Sequence, residues 1–268
     1  MAPIEILDER WGSPSIPEVR RRSWRRVVIA VAVLSLTCAC RSTPTLAKLE
    51  RGGRGPATMV LLHGYGSSAE EWLPFVSTIR LPEGGRFVFP QAPETTTPPD
   101  GPSTGRAWWR LDLPSHLPSS PGGLPDLSAT RPPGVKIAAA MVKDLVANVE
   151  RDGGTPILLG GFSQGAMVAA EVALQSDVHV DALVLLSGTL VDEASWQQKF
   201  ATLSNVPVFM SHGRSDPVLS FAVADRFRAG LEAAGVKVTW VAFDGGHEMP
   251  MTVIDQLNQF VARLGSRQ

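Results

Sequence analysis

The sequence predicts an α/β fold: a mostly parallel central sheet with helices on both faces. Three observations point there. From Ala57 onward, short apolar runs alternate with amphipathic stretches, the order produced when each strand is followed by a crossover helix. Most of those runs are apolar throughout rather than alternating, as strands covered on both faces require. Finally, 268 residues with 44% hydrophobic side chains can bury one sizeable core without a second domain.

In chain order, strands are expected over residues 58–62, 87–89, 157–159, 182–186, 206–211 and 236–243, and helices over 70–79, 135–151, 164–175, 220–234 and 251–264. Within 135–151, Ile137, Met141, Leu145 and Val149 recur every four residues and predict an inward stripe. The proline-rich stretch 93–134, around Ala107-Trp108-Trp109-Arg110, breaks the alternation. Proline removes backbone donors, so this stretch is neither an interior strand nor a continuous helix. It is expected as a lid or wall beside the site, or as a surface insertion over its later part.

Before this domain, expected over 57–268, the sequence carries an export-like leader in residues 1–40. Arg20-Arg21-Arg22-Ser23-Trp24-Arg25-Arg26 precedes an apolar run from Val27 to Leu36, too short for a membrane span but suited to a signal peptide. Both cysteines, Cys38 and Cys40, follow that run. Thr37-Cys38-Ala39-Cys40 resembles a lipoprotein cleavage box, so Cys40 is a candidate lipidation site and a membrane anchor; free secretion after cleavage is the alternative. Residues 41–56 then read as a tether. A domain without cysteine has neither disulfide nor thiol nucleophile. The net charge of −1 gives no nucleic-acid footprint.

Chemistry concentrates at Gly161-Phe162-Ser163-Gln164-Gly165. It runs from an apolar strand into a small-residue helix, the strand–turn–helix context of a nucleophile elbow. Ser163 is the expected nucleophile and needs a base. In the elbow fold the chain order is serine, acid, histidine, which leaves His179, His212 and His247. His247, after the last strand and a Gly245-Gly246 turn, is preferred. His179 reads as a surface residue and His212 as a strand end with no acid-bearing strand before it. Asp216, in the loop after the preceding strand, is the preferred acid over Asp192 and Asp244. The oxyanion donors are expected to be the backbone N–H groups of Gln164 and of Tyr65 in Leu62-His63-Gly64-Tyr65-Gly66, with His63 buttressing that loop. Trp108 and Trp109 are candidate walls of the substrate pocket.

Four ordered motifs carry a family resemblance: Leu62-His63-Gly64-Tyr65-Gly66, Gly161-Phe162-Ser163-Gln164-Gly165-Ala166, Gly213-Arg214-Ser215-Asp216-Pro217-Val218 and Gly246-His247. Together, over roughly residues 57–265, they resemble the phospholipase/carboxylesterase family, which includes acyl-protein thioesterases and small carboxylesterases. The resemblance implies an α/β-hydrolase fold and a triad of Ser163, Asp216 and His247. It also implies hydrolysis of small-molecule or lipid carboxylic esters or thioesters with no metal or organic cofactor. The export-like leader and the long proline-rich insertion depart from the family pattern. A secreted depolymerase or aryl-ester esterase with the same triad, and an inactive lipid-anchored binding protein, are the rival expectations.

Overall fold

The computed structural model describes residues 45–55, 57–96, 105–111, 124 and 126–265. The leader with Cys40, residues 41–44, His116 and much of the proline-rich stretch lie outside the described residues. The strands are β1 (Lys48–Gly52), β2 (Thr58–Leu62), β3 (Arg86–Pro90), β4 (Glu94–Thr95), β5 (Arg106–Ala107), β6 (Ile157–Phe162), β7 (Ala182–Leu186), β8 (Val208–Gly213) and β9 (Val238–Phe243). The helices are α1 (Pro133–Arg151), α2 (Gln164–Gln175), α3 (Glu193–Gln197), α4 (Phe221–Ala233) and α5 (Met251–Gly265).

Seven strands form one sheet in the order β1-β3-β2-β6-β7-β8-β9; β1 runs antiparallel to β3 and every other pairing is parallel. In β2, Val60 and Leu62 enter the core under α1, α2 and α4, while Met59 and Leu61 enter a second core under α5 and the 3₁₀ turns at Ala69–Ser77. Continuous apolar runs therefore serve two faces at once, and each fully buried Leu or Phe contributes about 1.5–3 kcal/mol.

Several expectations need correction. The stretch read as a tether contains β1, whose sequence Lys-Leu-Glu-Arg-Gly is mostly exposed. Charged residues suit an edge strand and leave no apolar run to signal it. Residues 69–77 wind as 3₁₀ rather than α-helix because Pro74, inside the segment, cannot donate to an α ladder. β6 runs three residues past its expected end, through Gly160 and Gly161 to Phe162. α1 starts two residues early, with Pro133 at its first turn, where a missing N–H costs nothing. Its stripe also turns away from the expected line: Ile137 is 65% exposed, whereas Val135, Ala138, Val142 and Val146 are buried with Met141, Leu145 and Val149. Each four-residue step drifts about 40° around a helix of 3.6 residues per turn, so a run of such steps leaves the buried face. Within the proline-rich stretch, the described parts form the short β4–β5 ladder, a 3₁₀ turn at Leu127–Ala129 and the start of α1.

The topology sets the position of the site. From β2 the chain passes to β3 on one side, while β6 pairs with β2 on the other. This is a switch point, where the loops leaving the carboxyl ends of adjacent strands diverge and open a crevice. The loops after β2 and β6 are those carrying Tyr65 and Ser163.

Candidate active site

At the carboxyl end of β6 the chain reverses into α2 within one residue. Ser163 takes up φ 54°, ψ −118°, a left-handed conformation rare for a residue with a side chain. Two glycines permit it: a Cβ on Gly161 would lie 2.5 Å from the Gly165 carbonyl carbon, and one on Gly165 would lie 2.2 Å from the Leu62 carbonyl oxygen. The Ser163 N–H donates to the Leu186 carbonyl of β7 at 2.8 Å, which pins the turn to the next strand. Strain held this tightly is characteristic of functional turns.

His247 sits in the loop between β9 and α5. Its Nε2 lies 2.8 Å from Ser163 Oγ and its Nδ1 lies 2.7 Å from Asp216 Oδ2. Because a carboxylate oxygen only accepts, Nδ1 carries the proton and Nε2 is left to accept from the serine hydroxyl. The Phe162 ring packs 4.9 Å from the imidazole, and Ser187 Oγ donates to the Glu248 carbonyl, tying the His247 loop to the end of β7. The Asp216 side chain is fully buried. Burial alone would raise its pKa, but hydrogen bonds from His212, His247 and the Leu219 N–H outweigh that and hold the carboxyl far below the usual carboxylate range.

The other candidates separate from these three. Asp192 pairs with Arg131 at 3.2 Å, and Asp244 is an exposed partner of Arg214. His179 is exposed and faces Asp181. His63 is buried: its Nδ1 donates to the Gly64 carbonyl and its Nε2 accepts from the Ala92 N–H. Burial lowers its basicity below the ordinary histidine value despite the Gly64 contact. It therefore supports the Tyr65 loop rather than reaching Ser163. Among the described residues, the N–H groups of Tyr65 and Gln164 have no acceptor. The latter is at the N-terminus of α2, where the helix dipole favours negative charge.

Trp108 and Trp109 are buried in the core beneath the site, and neither is among the described residues that wall the cleft beside Ser163. Their backbone is what serves the site. Gln164 Oε1 accepts from the Trp108 N–H and its Nε2 donates to the Trp109 carbonyl, both at 2.9 Å, while Trp108 Nε1 donates to the His63 carbonyl at 2.8 Å. The segment thus locks the elbow to the Tyr65 loop. The cleft adjoining Ser163, about 180 Å³, is instead walled by Trp72, Phe75, Phe162 and Met249, with Ser67 and Glu71 at a polar end. Its aromatic members lie on two separate elements, and in the sequence they read as ordinary core; only Phe162, inside the elbow, carried a signal. A larger groove of about 630 Å³ beside α1 and α2, lined by Lys136, Lys143 and Asp177, contains none of these groups and is a charged surface.

Comparison with known proteins gives the family and the fold. The model of the phospholipase/carboxylesterase family matches residues 50–264. The chain is 26% identical over 225 residues to acyl-protein thioesterase 1 of Neurospora crassa, covering 78% of this chain and 86% of that protein. It is 25% identical over 221 residues to lysophospholipase-like protein 1 of Mus musculus, covering 78% and 87%. The crystal structure of Zea mays acyl-protein thioesterase 2 superposes with a TM-score of 0.65 at 23% identity, over 81% of this chain and 98% of that one, and shares the fold. The chain belongs to the phospholipase/carboxylesterase family of α/β-hydrolases.

Proposed function

We propose that this carboxylic-ester hydrolase works through Ser163, His247 and Asp216 and passes through an acyl-enzyme. The reading rests on one observation above all, the continuous contact from Ser163 Oγ through His247 to Asp216 at 2.8 and 2.7 Å. Ser163 Oγ attacks the acyl carbonyl carbon as His247 Nε2 takes its proton. Asp216 remains ionised and stabilises the resulting imidazolium. The carbonyl oxygen becomes an oxyanion held by the N–H groups of Tyr65 and Gln164; each donor of this kind supplies about 2.7–4 kcal/mol. Collapse breaks the bond to the alcohol or thiol, which leaves with the proton from His247. Water then repeats the sequence on the acyl-serine, releasing the acid and restoring the serine.

The similar proteins named acyl-protein thioesterase and lysophospholipase-like protein, together with the largely apolar walls of the cleft, support an ester or thioester of an apolar acyl group as substrate. Labelling with a fluorophosphonate, followed by hydrolysis of p-nitrophenyl and thiol esters of increasing acyl length, tests this. The wild type should label and Ser163→Ala should not, with turnover falling about 10⁶-fold. Equal labelling of both proteins, or none of a folded wild type, would overturn the reading. A preference for aromatic over alkyl acyl groups would favour the aryl-ester alternative.

A further inference from the structure

We infer that His212 is a positioning residue for the acid of the triad, setting through Asp216 the basicity of His247. The inference rests on the triad reading above. His212 ends β8 and is 1% exposed, a buried titratable group for which the ester chemistry has no direct use. Its Nε2 lies 2.9 Å from the Leu219 carbonyl and 3.2 Å from Asp216 Oδ2. Both neighbours are acceptors, so Nε2 carries the proton; it donates to the Leu219 carbonyl and faces Asp216 Oδ2 at the longer distance.

Two consequences follow. Leu219 also donates its own N–H to Asp216 Oδ1 at 2.9 Å, so His212 closes the loop from β8 to α4 across the residue it carries. In addition, Oδ2 is the oxygen that His247 uses. A second donor on that oxygen draws off part of its negative charge and weakens its hold on a protonated His247. Without it the carboxylate stabilises the imidazolium more strongly, and His247 becomes harder to deprotonate.

The Phe221 ring of α4 sits 6.2 Å from His212, and Ala242 of β9 is its strand partner. The charged residues nearby, Arg214, Asp244 and Glu248, are exposed on the same loops, and Arg214 pairs with Asp244.

The test is the pH dependence of fluorophosphonate labelling and of p-nitrophenyl ester kcat/KM. His212→Leu and His212→Met lack a donor, whereas His212→Gln keeps one. In the first two the acid limb should move to higher pH by roughly half to one unit, with a plateau reduced less than tenfold; Gln should restore the wild-type limb. An unmoved limb in a folded Leu or Met variant, or the same shift in the Gln variant, overturns the inference. Independently of any variant, long-range ¹H–¹⁵N spectra of the wild type should show the Nε2–H tautomer of His212, and an Nδ1–H tautomer overturns it. Labelling that survives Ser163→Ala would instead indict the triad itself.

Discussion

The two oxygens of Asp216 are used differently, and the difference predicts what a single-atom change does. Oδ1 accepts the N–H groups of Val218 and Leu219 at 2.8 and 2.9 Å, while Oδ2 faces His247 and His212. In Asp216→Asn the amide oxygen must stay on the two backbone donors, so the NH₂ group takes the Oδ2 position. It then meets the Nε2–H of His212 as a second donor, and it can pair with His247 only if Nδ1 gives up its proton. Nε2 of His247 becomes the protonated nitrogen and can no longer accept from Ser163. Turnover should fall about 10⁴-fold while near-ultraviolet circular dichroism stays native; a loss under tenfold would contradict the proposed role of Asp216. These residues were legible in the sequence because acyl-transfer chemistry admits few side-chain types and the fold fixes their order. His212 and the Gln164 side chain were not, because their value depends on partners that the sequence does not indicate. The rings of Trp108 and Trp109 are what stand out in the sequence, yet it is chiefly their backbone, with the Trp108 indole N–H, that engages the site.

Between residue and fold lies the tie joining the chain before α1 to α2 and α3. Glu171 of α2 is buried and receives Trp196 Nε1 at 2.7 Å and the Arg131 guanidinium at 3.1 Å, while Arg131 also reaches Asp192 at the start of α3. Removing the carboxylate leaves a buried indole N–H without its acceptor and a largely buried guanidinium with Asp192 alone. Glu171→Ala should therefore cost about 3–5 kcal/mol, read as a lower urea midpoint with an unchanged slope; a cost under 1 kcal/mol would mean that Arg131 finds water instead. Nothing in the sequence marked this glutamate, which lies within an apolar helix among small residues. The elements themselves were legible in proportion to their burial. β2 and β7 stand at their expected limits because both are buried throughout and almost wholly apolar, whereas β1 gives no apolar run because an exposed edge needs none.

At the scale of the whole molecule, the parallel character of the sheet follows from the succession of strands and helices, but the switch point between β2 and β6 appears only once the strands are paired. It gathers the loops after β2 and β6 at one end of the sheet, where β8 and β9 also deliver Asp216 and His247. The fold therefore holds two groups whose surroundings, burial for His63 and hydrogen bonds for Asp216, make its stability depend on acidity. His63 is kept neutral by burial, below its ordinary value of 6.5, and Asp216 is kept ionised below its ordinary 3.8. In each case the unfolded chain binds the proton first, so both contributions are lost as pH falls. The His63 loss begins near pH 6.5 and continues down to its lowered folded value; that of Asp216 begins only near pH 3.8. Between pH 7.5 and 5, then, His63 should contribute to a falling urea midpoint while Asp216 does not. His63→Gln forfeits the Gly64 hydrogen bond and should be less stable at pH 7.5, but its midpoint should fall less steeply over the same interval. The remaining histidines are common to both proteins and drop out of the comparison. Parallel profiles for wild type and variant would show that His63 is not held neutral in the fold.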